Sequence, residues 1–112
     1  MLDDTTDPHE LTIVRSSEGG AQIVKAAGEL DASSGGRLRG ALDEVFAEGH
    51  ASVVVDLDGI SFIDSSGLSV LIYAYKQAIE RDGTLIVRSP SPTVVRLLDL
   101  AGQSERFLNQ GA

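Results

Sequence analysis

Two segments with helical periodicity flank Ser52-Val53-Val54-Val55-Asp56-Leu57, a run rich in β-branched residues and almost continuous in apolar character. A strand of this kind is buried on both faces, as in a parallel sheet covered by helices. Upstream, Ser33 or Ser34 can cap a helix running to about Glu48, with Gly49 as its stop. Leu38, Ala41, Leu42, Val45 and Phe46 form its apolar stripe at spacings of three and four. Gly35, Gly36 and Gly40 weaken its first half, by roughly 1 kcal/mol each relative to Ala. Downstream, a loop over 58–63 leads to a second helix from about Ser66 to Arg81. Thr84–Arg88 reads as another buried strand, and Ser91-Pro92 opens a third helix that ends near Ala101-Gly102. Pro92 at its first position forfeits no hydrogen bond. Phe107-Leu108 reads as a last short strand.

The chain opens differently. Leu11–Arg15 and Ala21–Ala27 alternate as strands, and between them Gly19-Gly20 supplies the positive φ of a hairpin turn. Gly28-Glu29-Leu30-Asp31 leads out of the second strand. The order β-β-α-β-α-β-α-(β) calls for one antiparallel pair followed by right-handed parallel crossovers. The expected fold is α/β, with a mixed sheet of four to five strands packed with three to four helices. Residues 1–9 read as a flexible acidic tail and 10–112 as a single domain, which suits a length of 112 residues.

Composition removes several classes of function. There is no Cys, so disulfides and thiolate metal sites are excluded, and His9 and His50 are the only imidazoles. No apolar run approaches the ~20 residues that cross a bilayer, so no membrane association is expected. The acidic start MLDDTTDPHE is not a secretory signal, which leaves the cytoplasm as the expected location. The formal charge is −8; beyond residue 10, thirteen acids face nine bases. Phosphate binding needs a basic patch and none is visible, so nucleic acid is not an expected partner. An acidic chain is steered instead toward a basic protein surface.

The stretch Ile60-Ser61-Phe62-Ile63-Asp64-Ser65-Ser66-Gly67-Leu68 places two hydroxyls where a strand turns into a helix. Helix-start N–H groups lack internal partners and lie at the positive end of the dipole. Asp64 or Ser65 can cap, which leaves Ser66 in the first turn with its hydroxyl outward. Gly67 lets another backbone come close. A plain polar helix cap is what Asp-Ser-Ser most often means, and on these four residues alone it is the favoured reading. The following helix adds a second feature: at 100° per residue, Leu68, Leu71, Ile72, Tyr75, Ala78 and Ile79 share the core face, while Ser66, Ser69, Val70, Tyr73 and Gln77 share the opposite one. A Ser, a Val and a Tyr on one wet stripe suit a docking surface; Tyr73 packing on a neighbouring helix is the competing reading.

Phe62-Ile63-Asp64-Ser65-Ser66-Gly67-Leu68, with Gly28-Glu29-Leu30-Asp31 upstream and Ser91-Pro92, Leu97-Leu98 and Ala101-Gly102 downstream, resembles a bacterial STAS domain, and more narrowly an anti-sigma factor antagonist, over roughly residues 10–110. The resemblance implies a regulator without chemistry or cofactor of its own. Unphosphorylated, such a protein binds an anti-sigma factor that is also a Ser/Thr kinase and frees a sigma factor. Phosphorylation of a serine breaks the complex, and a phosphatase resets it. The acceptor would be Ser66, with Ser65 as second choice. Asp31 and Asp64 match positions that line the family's partner surface; with Glu29, Ser65, Ser66 and Gly67 beside them and Ser69, Val70 and Tyr73 from the helical stripe, they make up the expected partner surface, on a monomer or weak dimer. Ser69 stands where the family often has Gly, and the glycine-rich first helix is a further departure. The alternative within the family is a free-standing subunit of a lipid-transport or stressosome assembly.

Phosphorylation adds about −1.5 to −2 charge at pH 7. Asp64, and in space Asp31 and Asp58, are expected near Ser66, with no Arg or Lys in the segment, so the charge would act outward on the partner. Enzyme readings find little support. The Gly-x-Ser-x-Gly elbow of a serine hydrolase is absent around Ser65 and Ser66. A phosphate-accepting receiver opens with strand–helix and carries a late Lys, whereas this chain opens with a hairpin and has no Lys after Lys76. No Gly-x-x-x-x-Gly-Lys loop is present for a nucleotide.

Overall fold

The computed structural model describes residues 9–108. β1 (Thr12–Glu18) and β2 (Ala21–Leu30) form the expected hairpin, with Gly19 at φ +57° and Gly20 at +88°, the pair of left-handed residues a two-residue turn requires. α1 (Gly35–Ala47), β3 (Ser52–Ile63), α2 (Ser65–Glu80), β4 (Thr84–Arg88), α3 (Pro92–Leu100) and α4 (Ser104–Leu108) follow. The sheet order is β1-β2-β3-β4, with β1 antiparallel to β2 and the other pairs parallel. Two successive crossovers of one hand, stepping in one direction, place α1 and α2 on the same face of the sheet. There they pack on each other and on the strands.

The core lies between that face and the helices. Val24, Ala26 and Leu30 of β2, Val53, Val55 and Leu57 of β3, and Leu85 of β4 meet Leu38, Leu42 and Val45 of α1 and Leu71, Ala74 and Ala78 of α2. Ile23 lies outside this cluster although it is buried. It pairs in register with Val54, which pairs with Ile86, so these three form an apolar row on the second face of the sheet. The neighbouring row on that face is Lys25, Asp56 and Arg88. Arg88 bonds Asp56 at 3.4 Å and reaches Glu18 of β1 at 3.1 Å, so its side chain spans the apolar row.

Three expectations are corrected. Residues 58–63 are not a loop but the second half of β3. β2 runs on to Leu30 and gives them backbone partners, with register shifts after Lys25 and Gly28 that break the two-residue alternation. Phe107-Leu108 is the end of α4, not a strand; Phe107 is buried and meets Tyr75 of α2 edge-to-face at 5.8 Å. Ile79, assigned to the core face of α2, is 50% exposed, because the sheet contacts shift toward Ala74 and Ala78. The expected acidic tail falls on residues 1–8, outside the described residues, apart from His9. Among the described residues, no helix is long and apolar enough to cross a membrane.

Candidate partner-docking site

The site is the end of the β2–β3 ladder, where Leu30 pairs with Ile63 and both strands stop. Asp64 follows in extended conformation and is the N-cap of α2. Its Oδ1 accepts from the backbone nitrogens of Ser66 at 2.9 Å and Gly67 at 3.3 Å, so the cap is Asp64 and not Ser65. Gly67 sits directly on the strand ends. A Cβ there would lie 2.8 Å from Leu30 Cγ, 2.8 Å from Ile63 Cγ1 and 2.9 Å from the Leu30 carbonyl. The first turn of α2 is therefore seated on the sheet at a distance only glycine permits.

Ser65 is exposed, and its carbonyl accepts the hydroxyl of Ser69 at 2.9 Å. Ser66 is half-buried, and its hydroxyl makes no hydrogen bond with the described residues. It is not sealed in either: among the described residues the sealed, unpartnered side-chain oxygen is that of Ser91. The outcome is a hydroxyl open to solvent on a first turn whose backbone is pinned by a carboxylate.

The stripe below Ser66 is not uniformly wet: Ser69 is exposed and Tyr73 and Gln77 are half-buried, but Val70 is buried. Val70 is 8% exposed. Its Cγ2 lies 3.4 Å from where a Cβ of Gly35 would stand, so Val70 fills the contact between α2 and the start of α1. The Tyr73 hydroxyl donates to Asp43 of α1, and the Arg39 guanidinium lies 3.8 Å above its ring. That bond to Asp43 holds the Tyr73 phenol above its ordinary pKa. Val70 and Tyr73 thus both contact α1, Val70 buried and Tyr73 half-buried. Val70 is withdrawn from the partner surface by its burial.

The other predicted residues gather beside the turn. Asp31 Oδ1 accepts from the Ser33 hydroxyl at 2.8 Å, the Ser33 amide at 3.0 Å and the Ser34 amide at 3.2 Å. These bonds, the Ser33 hydroxyl first, hold its carboxyl below the ordinary range. Ser34 is the N-cap of α1 by position, but its hydroxyl donates back to the Glu29 carbonyl at 2.8 Å instead of capping. The Glu29 carboxylate meets His9 Nδ1 at 2.7 Å, and its amide donates to the His9 carbonyl at 3.1 Å. Sequence reading placed His9 in a tail; the structure sets it against the site. His9, Glu10, Leu11, Glu29, Asp31, Ser33, Ser34 and Arg37 line a cleft of about 380 Å³.

Two further residues escaped the sequence. Phe62 pairs in register with Glu29 and is 44% exposed. Arg37, one turn into α1, brings a cation to the acidic cleft. Asp58, expected near Ser66, lies instead in β3 and is carried away from the turn by about 3.3 Å per strand residue. Among the described residues, no cluster of three or more His, Asp or Glu side chains could hold a metal ion.

The STAS domain family model matches residues 13–110. The anti-sigma F factor antagonist of Paenibacillus polymyxa is 36% identical over 84 residues, covering 74% of this chain and 72% of that protein. A crystal structure of an anti-sigma factor antagonist from Mycobacterium paratuberculosis superposes with a TM-score of 0.78 at 26% identity, over 92% of this chain and 87% of that one. The unphosphorylated form of the antagonist SpoIIAA superposes at 0.75 and 19% identity, over 87% and 86% of the two chains. Its phosphorylated form, from Bacillus, superposes at 0.69 and 19% identity, over 87% and 89%. By its motif, its fold and its relatives, this chain belongs to the STAS domain family.

Proposed function

We propose that this protein is an anti-sigma factor antagonist whose docking to an anti-sigma factor kinase is switched off by phosphorylation of Ser66. The observation that carries the reading is the Ser66 hydroxyl, which is open to solvent and unpartnered among the described residues on a backbone fixed by Asp64 and Gly67. The antagonist names of its relatives support the class, and the phosphorylated and unphosphorylated structures of SpoIIAA support the chemistry. The protein acts by binding and needs no chemistry of its own; a phosphatase completes the cycle.

The surroundings dictate how the switch works. A phosphate on Ser66 would find the Ser66 and Gly67 amides already engaged by Asp64. The Asp64 carboxylate adds like charge two residues away. The dianion therefore has few partners within its own chain and acts on the docked surface, where a neutral hydroxyl had fitted. A loss of about 3 kcal/mol is enough to weaken a complex over a hundredfold.

The test is phosphopeptide mapping after incubation with ATP and the anti-sigma factor kinases of the source cell, followed by titration calorimetry of the responding kinase against wild-type, Ser66→Ala and Ser66→Asp protein. Label on Ser66, near wild-type affinity for Ser66→Ala and a loss above a hundredfold for Ser66→Asp are expected. Equal affinity for Ser66→Asp, label confined to Ser65, or recovery of the protein in a membrane-transport complex in place of a kinase would overturn the reading.

A further inference from the structure

Five large apolar side chains are exposed among the described residues: Val14, Phe62, Ile79, Val95 and Leu100. Phe62 is the one aromatic among them, and the one on the strand that leads into the Ser66 turn. Looseness does not explain its exposure. Its neighbours Ile60 and Ile63 are buried, the Ser61 hydroxyl bonds the Gly28 carbonyl at 3.3 Å, and Asp64 caps the helix two residues on. A rigid frame thus holds an aromatic ring out in water.

The placement of the ring follows from the ladder. Leu30 and Ile63 form its last rung and face the helix side, beneath Gly67. Side chains alternate along a strand, so the preceding rung, Glu29 and Phe62, faces the other way, with the two side chains adjacent. Phe62 and Ser66 are four positions apart, and the chain cannot place their Cα atoms more than about 14 Å apart. A standard interface covers about 800 Å² per partner, a disc of roughly 16 Å radius, so a partner centred on Ser66 reaches Phe62 as it wraps over the strand ends. Beside the ring lie the Glu29 carboxylate, met by His9 Nδ1 at 2.7 Å, and the cleft that also contains Glu10, Asp31 and the guanidinium of Arg37.

Resting on the function proposed above, we propose that Phe62 is the apolar anchor of the docking surface, entering an apolar pocket bordered by basic groups on the anti-sigma factor kinase. Continuity with the Ser66 turn names the occupant, and the three carboxylates Glu10, Glu29 and Asp31, against the one guanidinium of Arg37 in the adjoining cleft, favour a basic border on that pocket. Aromatic side chains that fill a desolvated pocket on the partner carry a disproportionate share of binding energy, and the contacts around them exclude water. In this arrangement Ser66 reports the phosphorylation state, and Phe62 supplies affinity that does not depend on it.

The test titrates the kinase that phosphorylates the wild-type chain against Phe62→Ala, Phe62→Leu, Val14→Ala and Ser66→Asp, with a thermal melt of each variant. Phe62→Ala is expected to weaken binding at least tenfold, about 1.4 kcal/mol. Phe62→Leu should lose less, and Val14→Ala should stay within about twofold of wild type, the scatter expected of a peripheral contact. Wild-type affinity for Phe62→Ala alongside loss in Ser66→Asp would overturn the anchor and leave the switch standing. Wild-type affinity for both, or a wild-type chain that engages no kinase, would overturn both. Should Phe62→Ala melt below the assay temperature, Phe62→Leu decides: unchanged affinity in that variant overturns the anchor.

Discussion

The Asp64 carboxylate lies 2.9 Å from the backbone nitrogen of Ser66, so the residue with the open hydroxyl has its amide pinned by its neighbour. Asp64→Ala removes the side-chain acceptor for two first-turn amides. It is expected to lower stability by about 1 kcal/mol and the melting temperature by roughly 3–6 °C. Asp64→Asn keeps an acceptor oxygen and should recover most of that loss. Urea unfolding of the three proteins checks both expectations; Asn behaving like Ala would mean that charge, not the cap bond, matters.

Much of this architecture was legible because short-range chemistry dictates it. Gly19-Gly20 had to turn, Val53-Val54-Val55 had to be a buried strand, and Asp64 had to be among the candidates to cap. What stayed hidden depends on neighbours distant in sequence. Residues 58–63 carry two bulge-shifted pairings with β2, so their alternation is scrambled and reads as a loop. Val70 lies on the side of α2 facing away from the sheet, and only the arrival of α1 at Gly35 buries it. Gly35 itself read as a weakness of α1, yet it is what lets α1 approach Val70. His9 looked like tail because the residue it meets, Glu29, is twenty positions away.

Two glycines in helices should respond to alanine in opposite directions. At Gly67 the new methyl would meet Leu30 Cγ and Ile63 Cγ1 at 2.8 Å and the Leu30 carbonyl at 2.9 Å, all parts of the buried strand ends. Overpacking of this kind costs about 1–3 kcal/mol, more than the ~1 kcal/mol that Ala gains in helix propensity. At Gly40, in α1, nothing lies within 4 Å, so propensity acts alone and Ala should stabilise by about 0.5–1 kcal/mol. Chemical denaturation of Gly67→Ala and Gly40→Ala checks the pair. Stabilisation at Gly67 would show that the helix start can lift from the sheet.

Asp31 should remain an anion at any pH at which a partner docks. Its folded pKa lies below the ordinary value because the charged form accepts the Ser33 hydroxyl and the nearby amides. A depressed carboxylate stabilises the fold above its unfolded value, near pH 4, and that contribution is lost as pH falls through the folded value. Ser33→Ala removes the first of those bonds and should raise the Asp31 pKa toward the ordinary range. An NMR titration of the Asp31 carboxyl in both proteins reads the shift. No change would place the cause in the amides and the Ser34 hydroxyl.

Arg88 and Glu18 form a pair that looks symmetrical and should not behave so. Both are exposed, 40% and 71% by side chain, and exposed pairs contribute at most about 1 kcal/mol. Glu18→Ala should therefore change stability by under ~0.5 kcal/mol, as surface substitutions do. Arg88 also bonds Asp56, which is only 8% exposed. Arg88→Ala leaves Asp56 with the Asp58 amide as its remaining partner and uncovers the row of Ile23, Val54 and Ile86. An unpaired carboxylate near burial costs about 1–3 kcal/mol, so Arg88→Ala should destabilise by at least twice as much as Glu18→Ala. Adding Asp56→Asn to Arg88→Ala removes the uncompensated charge and should recover part of the loss. A double-mutant cycle between Arg88 and Asp56 measures it; a coupling of zero would mean that Arg88 acts on this face only as cover for the apolar row.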